Sequence, residues 1–199
     1  MKAWDALQAD LARYLHPRWS FPRKCRRVLV TKEIWVIWLF RWGCYIYDEA
    51  PAPIAALHKL IWWPWNDCVQ TLLDTHLLPG TRIGPGLYIG HHGGIWINPG
   101  AVVGARCNLA QGIVVGAAGG GKAPILGDRV WVGPHAVITG PVKVGNDAVV
   151  GANSLITVDV PDKAVMVGVP AKILSYSGSA KLVRGPEEQT AAREKKGEA

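Results

Sequence analysis

Residues 126–157 read LGDRVWVGPHAVITGPVKVGNDAVVGANSLIT. An aliphatic residue returns at every sixth position, at Leu126, Val132, Ile138, Val144, Val150 and Ile156, each followed by Gly or Thr. Period six fits neither an amphipathic helix, whose apolar face returns every three to four residues, nor a hairpin sheet, which alternates. It fits a solenoid of short straight segments and tight turns. Each aliphatic residue points into a narrow interior, and the small residue after it lets the chain turn. Ile97, Val103, Leu109 and Val115 keep the same phase upstream, as do Ile83 and Ile89. The phase slips by two residues between Ile89 and Ile97, and by five between Val115 and Leu126. Three hexads close one triangular coil, so these twelve positions make about four coils. One coil cannot bury its aliphatic face alone; stacking buries a continuous core.

The N-terminal part has another grammar. Eight of the ten tryptophans fall in the first 65 residues, and the change to glycine and short aliphatics comes near Leu78-Pro79-Gly80. Trp4, Leu7 and Leu11 are helically spaced, as are Trp35, Trp38 and Trp42, which predicts helices over roughly 2–15, 30–47 and 52–74. Pro51, Pro53 and Pro64 are expected to cut or kink them. The fold class is therefore α+β: a Trp-rich helical region over 1–77, a β-helix over 78–175 and a tail over 176–199. Residues 183–199 have almost no large apolar side chains, so little independent structure is expected there.

The chain has 199 residues and a net charge of +7. A basic balance favours acidic partners, such as nucleotides, CoA phosphates, anionic polymers or a membrane surface, without choosing among them. A nucleic-acid partner is not expected. Cys25, Cys44, Cys68 and Cys107 have no CxxC spacing, which points to reduced thiols in a cytoplasmic protein and to no metal site. The N-terminus carries acids and does not read as a secretory signal. The most apolar run, residues 34–40 (IWVIWLF), is far shorter than the ~20 residues a spanning helix needs. The tryptophan stripe reads as a core or oligomer face. Arg23, Lys24, Arg26 and Arg27 just before it leave a second reading open, a contact with the inner face of a membrane.

The segment LPGTRIGPGLYIGHHGGIWI, the loop GAAGGGKAPILGD and the closing stretch VPDKAVMVGVPAKIL together resemble the hexapeptide-repeat acyltransferases, which form left-handed parallel β-helices. Within them the chain most resembles the serine acetyltransferase branch, including its relatives among polysaccharide O-acetyltransferases. The resemblance covers residues 78–175. It implies acetyl-CoA as cosubstrate, no metal, and a homotrimer, with pairing of two trimers left open. It also implies backbone contacts to CoA from the turns around Gly116, Ala117, Ala136 and Ala152, with Lys172 near the adenine. Lys143, Lys163 and Lys172 equally read as a solvated face.

The family's Asp-His pair falls on Gly90 and His91, with His92 on the following small residue. Histidine, whose ordinary pKa is about 6.5, can take a hydroxyl proton and return it to a departing thiolate near neutral pH. His91 is therefore the expected base, with His92 as the other candidate. The two-residue slip lies in this segment, so the chain must bulge, and Gly93 and Gly94 supply the backbone freedom. Three family features that handle serine depart here. The first aspartate is Gly90. The aspartate that orients the histidine falls on His76, with Asp74 two residues away. The Arg-His pair of the loop falls on Lys122 and Ala123. A zwitterionic acceptor needs a partner for each charge, and a neutral sugar hydroxyl does not. Tyr88 and Trp96 flank the histidines and offer aromatic faces. The expected acceptor is thus a sugar or glycan hydroxyl. The alternatives are serine O-acetylation, as in cysteine biosynthesis, and an inert β-helix scaffold at a membrane surface.

Overall fold

The computed structural model describes residues 2–183 and 185; the expectation of a structureless tail over 184 and 186–199 lies outside them. Four α-helices precede a three-sided stack of short strands. They are α1 (Ala3–Leu11), α2 (Phe21–Val30), α3 (Lys32–Cys44) and α4 (Ala52–Leu73), with one wide helical turn at Tyr45–Glu49. The helix expected over 2–15 ends at Leu11, and the one expected from residue 30 begins at Lys32. Extended Thr31 separates it from α2, which the sequence reading did not assign as a helix although Pro22 marks its first turn. Pro64 does not break α4, which runs through it. The inner face of α4 is held instead by buried Trp62, Asn66 and Gln70, and the Trp62 indole donates to the Leu39 carbonyl at 2.8 Å. α3 is the hub. Ile34, Val36, Ile37, Leu39 and Phe40 are buried, and α1, α2 and α4 all pack on it.

The strands form three parallel faces. The first contains β1 (Thr75–His76), β4 (Ile95–Ile97), β7 (Val114–Gly116), β10 (Val137–Thr139) and β13 (Leu155–Ile156). The second contains β2 (Arg82–Ile83), β5 (Val102–Val103), β8 (Ile125–Leu126) and β11 (Lys143–Val144). The third contains β3 (Tyr88–Ile89), β6 (Asn108–Leu109), β9 (Trp131–Val132), β12 (Val149–Val150) and β14 (Val165–Val167), and is closed by antiparallel β15 (Lys172–Ser175). β1 precedes residue 78, so the solenoid begins within the segment assigned to the helical region. With β1 and β14 added at its ends, the stack exceeds the expected four coils.

All twelve in-phase aliphatic residues are buried, and they stack in register. Ile138 pairs with Ile156 eighteen residues on, Ile89 with Leu109 twenty on, and Val115 with Ile138 twenty-three on. Eighteen is the plain coil. The two longer coils place their extra residues at corners, so the interior column is undisturbed. The helical cap is fastened to the first coil by a buried ion pair. Arg41 of α3 donates to Asp10 through Nε at 2.8 Å, and to the carbonyls of Ile83 and Gly84 at 2.7 and 2.6 Å. Asp10 also accepts the Leu87 N–H at 2.7 Å. Burial pushes the Asp10 carboxyl up, and the Arg41 hydrogen bond and charge oppose it.

A side chain after an inward aliphatic has room only where the next coil stands off. A methyl added to Gly104 would land on the Gly127 carbonyl and the Asp128 carboxylate, whereas one on Gly116 would meet only Val114 Cγ1 at 3.7 Å. Gly104→Ala is expected to cost about 1–3 kcal/mol of stability by overpacking against backbone, and Gly116→Ala less than about 0.5 kcal/mol. Paired denaturant unfolding curves measure the difference.

Candidate active site

The two-residue excess of the first coil sits between β3 and β4, at the corner joining the third face to the first. The approach is clamped from the helical side. The Tyr14 hydroxyl accepts the Ile89 N–H at 2.7 Å and donates to the Ile89 carbonyl at 2.9 Å. Arg13 reaches the Gly86 carbonyl and Asn108 Oδ1. Burial pushes the Tyr14 hydroxyl well up, so it stays neutral and can do both. After Gly90, whose N–H joins the Leu109 carbonyl, the chain leaves the ladder. Gly93 and Gly94 have φ of 104° and 65°, which the turn requires and which only glycine adopts without strain. The chain rejoins the stack where Gly93 N–H donates to Thr75 Oγ1 and Gly94 N–H to Asp74 Oδ2, at 3.2 and 2.8 Å.

This bulge carries both histidines outward. His91 is exposed and makes no hydrogen bond or ion pair among the described residues. His92 is half-buried and engaged. Its Nδ1 lies 2.8 Å from Glu33 Oε1, and its backbone N–H donates to the same oxygen at 3.3 Å. Burial raises the Glu33 carboxyl, but the His92 hydrogen bond and charge, with backbone N–H groups, bring it below the ordinary carboxyl range. This contact fixes the orientation of the His92 ring.

The other expected site residues divide between two corners. Asp74 and His76 sit beside the bulge, with His76 Nε2 3.7 Å from Asp74 Oδ1. Trp96 is 52% exposed and stacks on the His76 ring at 3.8 Å between centroids. Tyr88 is not a free face: its ring packs on Tyr14 at 4.7 Å and lies under the Arg13 guanidinium. Ala152 is exposed on the same corner, two coils beyond Gly112, which accepts the close approach of Gly93 and Gly94. Ala136 needs correction. It is fully buried, its carbonyl accepts the Val114 N–H, and its N–H turns back to Gly133, so it offers no surface to a ligand. The outward residue of that turn is His135, whose imidazole lies over Gly112 in space that a side chain there would fill. Half-buried Gly116 and Ala117 and exposed Lys122 lie at the opposite edge of the first face, where the five-residue excess of the second coil forms the loop over 117–124. Lys172 is exposed on β15.

Sequence reading missed Glu33, Thr75, Gln111 and His135. Glu33 is 59 residues from His92, in the first turn of α3, and no local pattern announces the contact. Gln111, one coil beyond the histidines, buries its amide oxygen without a partner among the described residues. His135 had a legible signal, its place after Gly133-Pro134 at a corner of the hexad repeat; in the structure it turns there with φ of 58° and faces Gly112 of the preceding coil. No group of three His, Cys, Asp or Glu residues among those described could hold a metal ion.

A family model described as bacterial transferase hexapeptide (six repeats) matches residues 123–157. Over 127 residues the chain is 36% identical to a protein named serine acetyltransferase from Helicobacter pylori, covering 60% of this chain and 74% of that one. It is 34% identical over 134 residues to a serine acetyltransferase of Mycobacterium tuberculosis, covering 60% of this chain and 58% of the relative. The chain thus spans little more than half of that relative, and 46% of a third from Synechococcus elongatus. Among solved structures, serine acetyltransferase from Brucella abortus superposes with a TM-score of 0.73 at 25% identity, over 89% of this chain and 70% of that one. Neisseria gonorrhoeae serine acetyltransferase in complex with serine gives 0.72 at 25% identity, over 87% and 69%. The solenoid is the left-handed parallel β-helix of hexapeptide repeats that the motifs implied.

Glu33→Gln is expected to release the His92 ring and lower stability near neutral pH. Because the Glu33 carboxyl is lowered in the folded chain from an ordinary 4.5, its contribution is fully present above that value and is lost as pH falls through the folded value. The difference in unfolding midpoint between wild type and variant should therefore shrink on acidification below about 4.5, measurable by thermal melts from pH 3 to 7.

Proposed function

The chain belongs to the serine acetyltransferase family of hexapeptide-repeat proteins, and from that membership we propose that it transfers the acetyl group of acetyl-CoA to a hydroxyl oxygen, with L-serine as the acceptor. What carries this reading is the bulged corner. It exposes an unpartnered imidazole, His91, on a segment whose Gly94 and His92 are held by two carboxylates, Asp74 and Glu33, that the plain hexad path would not gather.

His91 takes the acceptor's hydroxyl proton as the oxygen attacks the thioester carbonyl, and returns it to the departing CoA sulfur. His92, held by Glu33, fixes the bulge from the helical side. Asp74 orients the corner through Gly94. The case for a sugar acceptor rested on the missing aspartates of the motif. Asp74 and Glu33 restore anions to the corner from other positions, which removes the objection to an ammonium group, and Lys122 is the cation for the acceptor's carboxylate or a CoA phosphate. The names of the relatives support serine and give the sugar reading no support.

One chain places the His91 corner and the Lys122 loop at opposite edges of the first face. Packing three prisms about a common axis sets one edge of each against the other edge of its neighbour, so we place acetyl-CoA in the seam of a homotrimer. Gly116, Ala117 and Lys122 lie on one wall and His91, His135 and Ala152 on the other, with Lys172 towards the adenine. Acetylation of a sugar hydroxyl stays as a second reading on one observation, the exposed Trp96 ring stacked on His76 as a platform.

Purified full-length protein is expected to release CoA thiol from acetyl-CoA with L-serine and form O-acetylserine. His91→Ala should lower the rate about 10²–10⁴-fold while CoA still binds by calorimetry. Thiol release with hexose or N-acetylhexosamine but not with serine would transfer the assignment to the second reading. Full activity of His91→Ala would remove the histidine from the mechanism.

A further inference from the structure

We propose that α2 is an in-plane anchor that seats the protein on an anionic lipid surface. α2 (FPRKCRRVLV) is ten residues long and has no buried residue. It touches the body along one edge, through half-buried Lys24 and Val28. Three contacts fix how it lies. The Trp35 indole donates to the Leu29 carbonyl, Lys24 Nζ donates to the Pro17 carbonyl at 3.0 Å, and the Arg23 guanidinium rests 4.5 Å from the Trp19 ring.

With that edge pinned, Phe21, Cys25 and Leu29 recur at i, i+4 and i+8 as one stripe facing solvent. Phe21 is 79% exposed, Leu29 67% and Val30 62%. Arg23, Arg26 and Arg27 occupy the neighbouring arc, and the helix contains no acid. Arg26 and Arg27 form no ion pair or hydrogen bond among the described residues.

A surface helix of a globular protein turns its apolar stripe inward; this one turns it out and rims it with cations. That combination matches a bilayer interface, where the stripe enters the acyl boundary and the arginines meet lipid phosphates. A protein partner would satisfy the stripe but leaves the unopposed charge unexplained. Nucleic acid would satisfy the charge but not Phe21 and Leu29. α4 also exposes Leu57, Leu60, Ile61, Trp63 and Trp65, but with only one lysine, Lys59, its face has no charge signature. No helix among the described residues is long and apolar enough to cross a membrane, so the contact is peripheral.

The test is cosedimentation of the full-length protein with vesicles of equimolar phosphatidylglycerol and phosphatidylcholine, and with phosphatidylcholine alone. Binding is expected to the anionic vesicles, to fall in high salt, and to be at least tenfold weaker on the neutral ones. Arg26→Gln/Arg27→Gln should weaken it about 30-fold, at roughly fivefold per charge. Phe21→Ser/Leu29→Ser should abolish it while leaving the circular dichroism spectrum and acetyl transfer to a soluble acceptor unchanged. No binding to anionic vesicles, or equal binding to neutral ones, overturns the proposal. So does a larger wild-type oligomer dispersed by Phe21→Ser/Leu29→Ser without vesicle binding, which gives the face to a second copy. Retention on a DNA duplex that Arg26→Gln/Arg27→Gln abolishes and Phe21→Ser/Leu29→Ser leaves intact, without vesicle binding, also overturns it.

Discussion

A solenoid coil has no interior of its own, so the inward column of aliphatic residues is stable only if every coil is covered above and below. Each fully buried Val, Leu or Ile contributes about 1.5–3 kcal/mol, but the terminal coils would each leave one side open. The helical half answers this at the first coil. α3 is apolar nearly all round, and its one buried cation, Arg41, spends its donors on Asp10 and on the carbonyls of Ile83 and Gly84. Those carbonyls belong to the coil's first corner, so the ion pair also satisfies backbone groups that closure of the end would otherwise bury unpaired. A buried pair of this kind is a poor source of net stability. Here it fixes the angle at which helices meet solenoid.

That angle reaches the site. The turn after α1 and the first turn of α3 bring Tyr14 and Glu33 to the bulged corner, where they hold the residues on either side of His91 and leave His91 itself untouched. The bulged corner is thus built from a local irregularity in the repeat and a tertiary clamp from elsewhere. The loop at the opposite edge of the first face is a pure insertion, hung on a core that does not register its length.

The solenoid was legible because its constraint is local and periodic. Every in-phase residue from Ile83 to Ile156 had to be aliphatic, and every slip in phase marked a corner that had to bulge. The outward bulge that carries His91 was legible for the same reason. What escaped was set by tertiary contact. α2 looked like a basic prelude because a ten-residue helix that buries nothing leaves no core-facing period to read. The helix over 52–74 was legible in the sequence, but that it runs past Pro64 uncut depends on the packing of Trp62, Asn66 and Gln70, which is invisible along the chain. Ala136 was implied as a ligand contact by the family resemblance, and which side of its turn faces in is not visible along the chain. Glu33 could not be paired with His92 without knowing how the helices dock.

The far end of the stack has its own closure. At Val167 the chain reverses, and β15 runs back along β14. On the first face the Leu155 N–H and carbonyl are taken by Gly168 and Ala171, and on the second Val160 bridges to Val144. All three ladders therefore finish on non-continuing backbone, and the N-terminal helices block the other mouth. A repeat this regular is a ready template for its own copies, since coil on coil is what it already does best. Stoppered at both mouths, the rod keeps a finite length, and neither end offers an open coil on which another copy could stack.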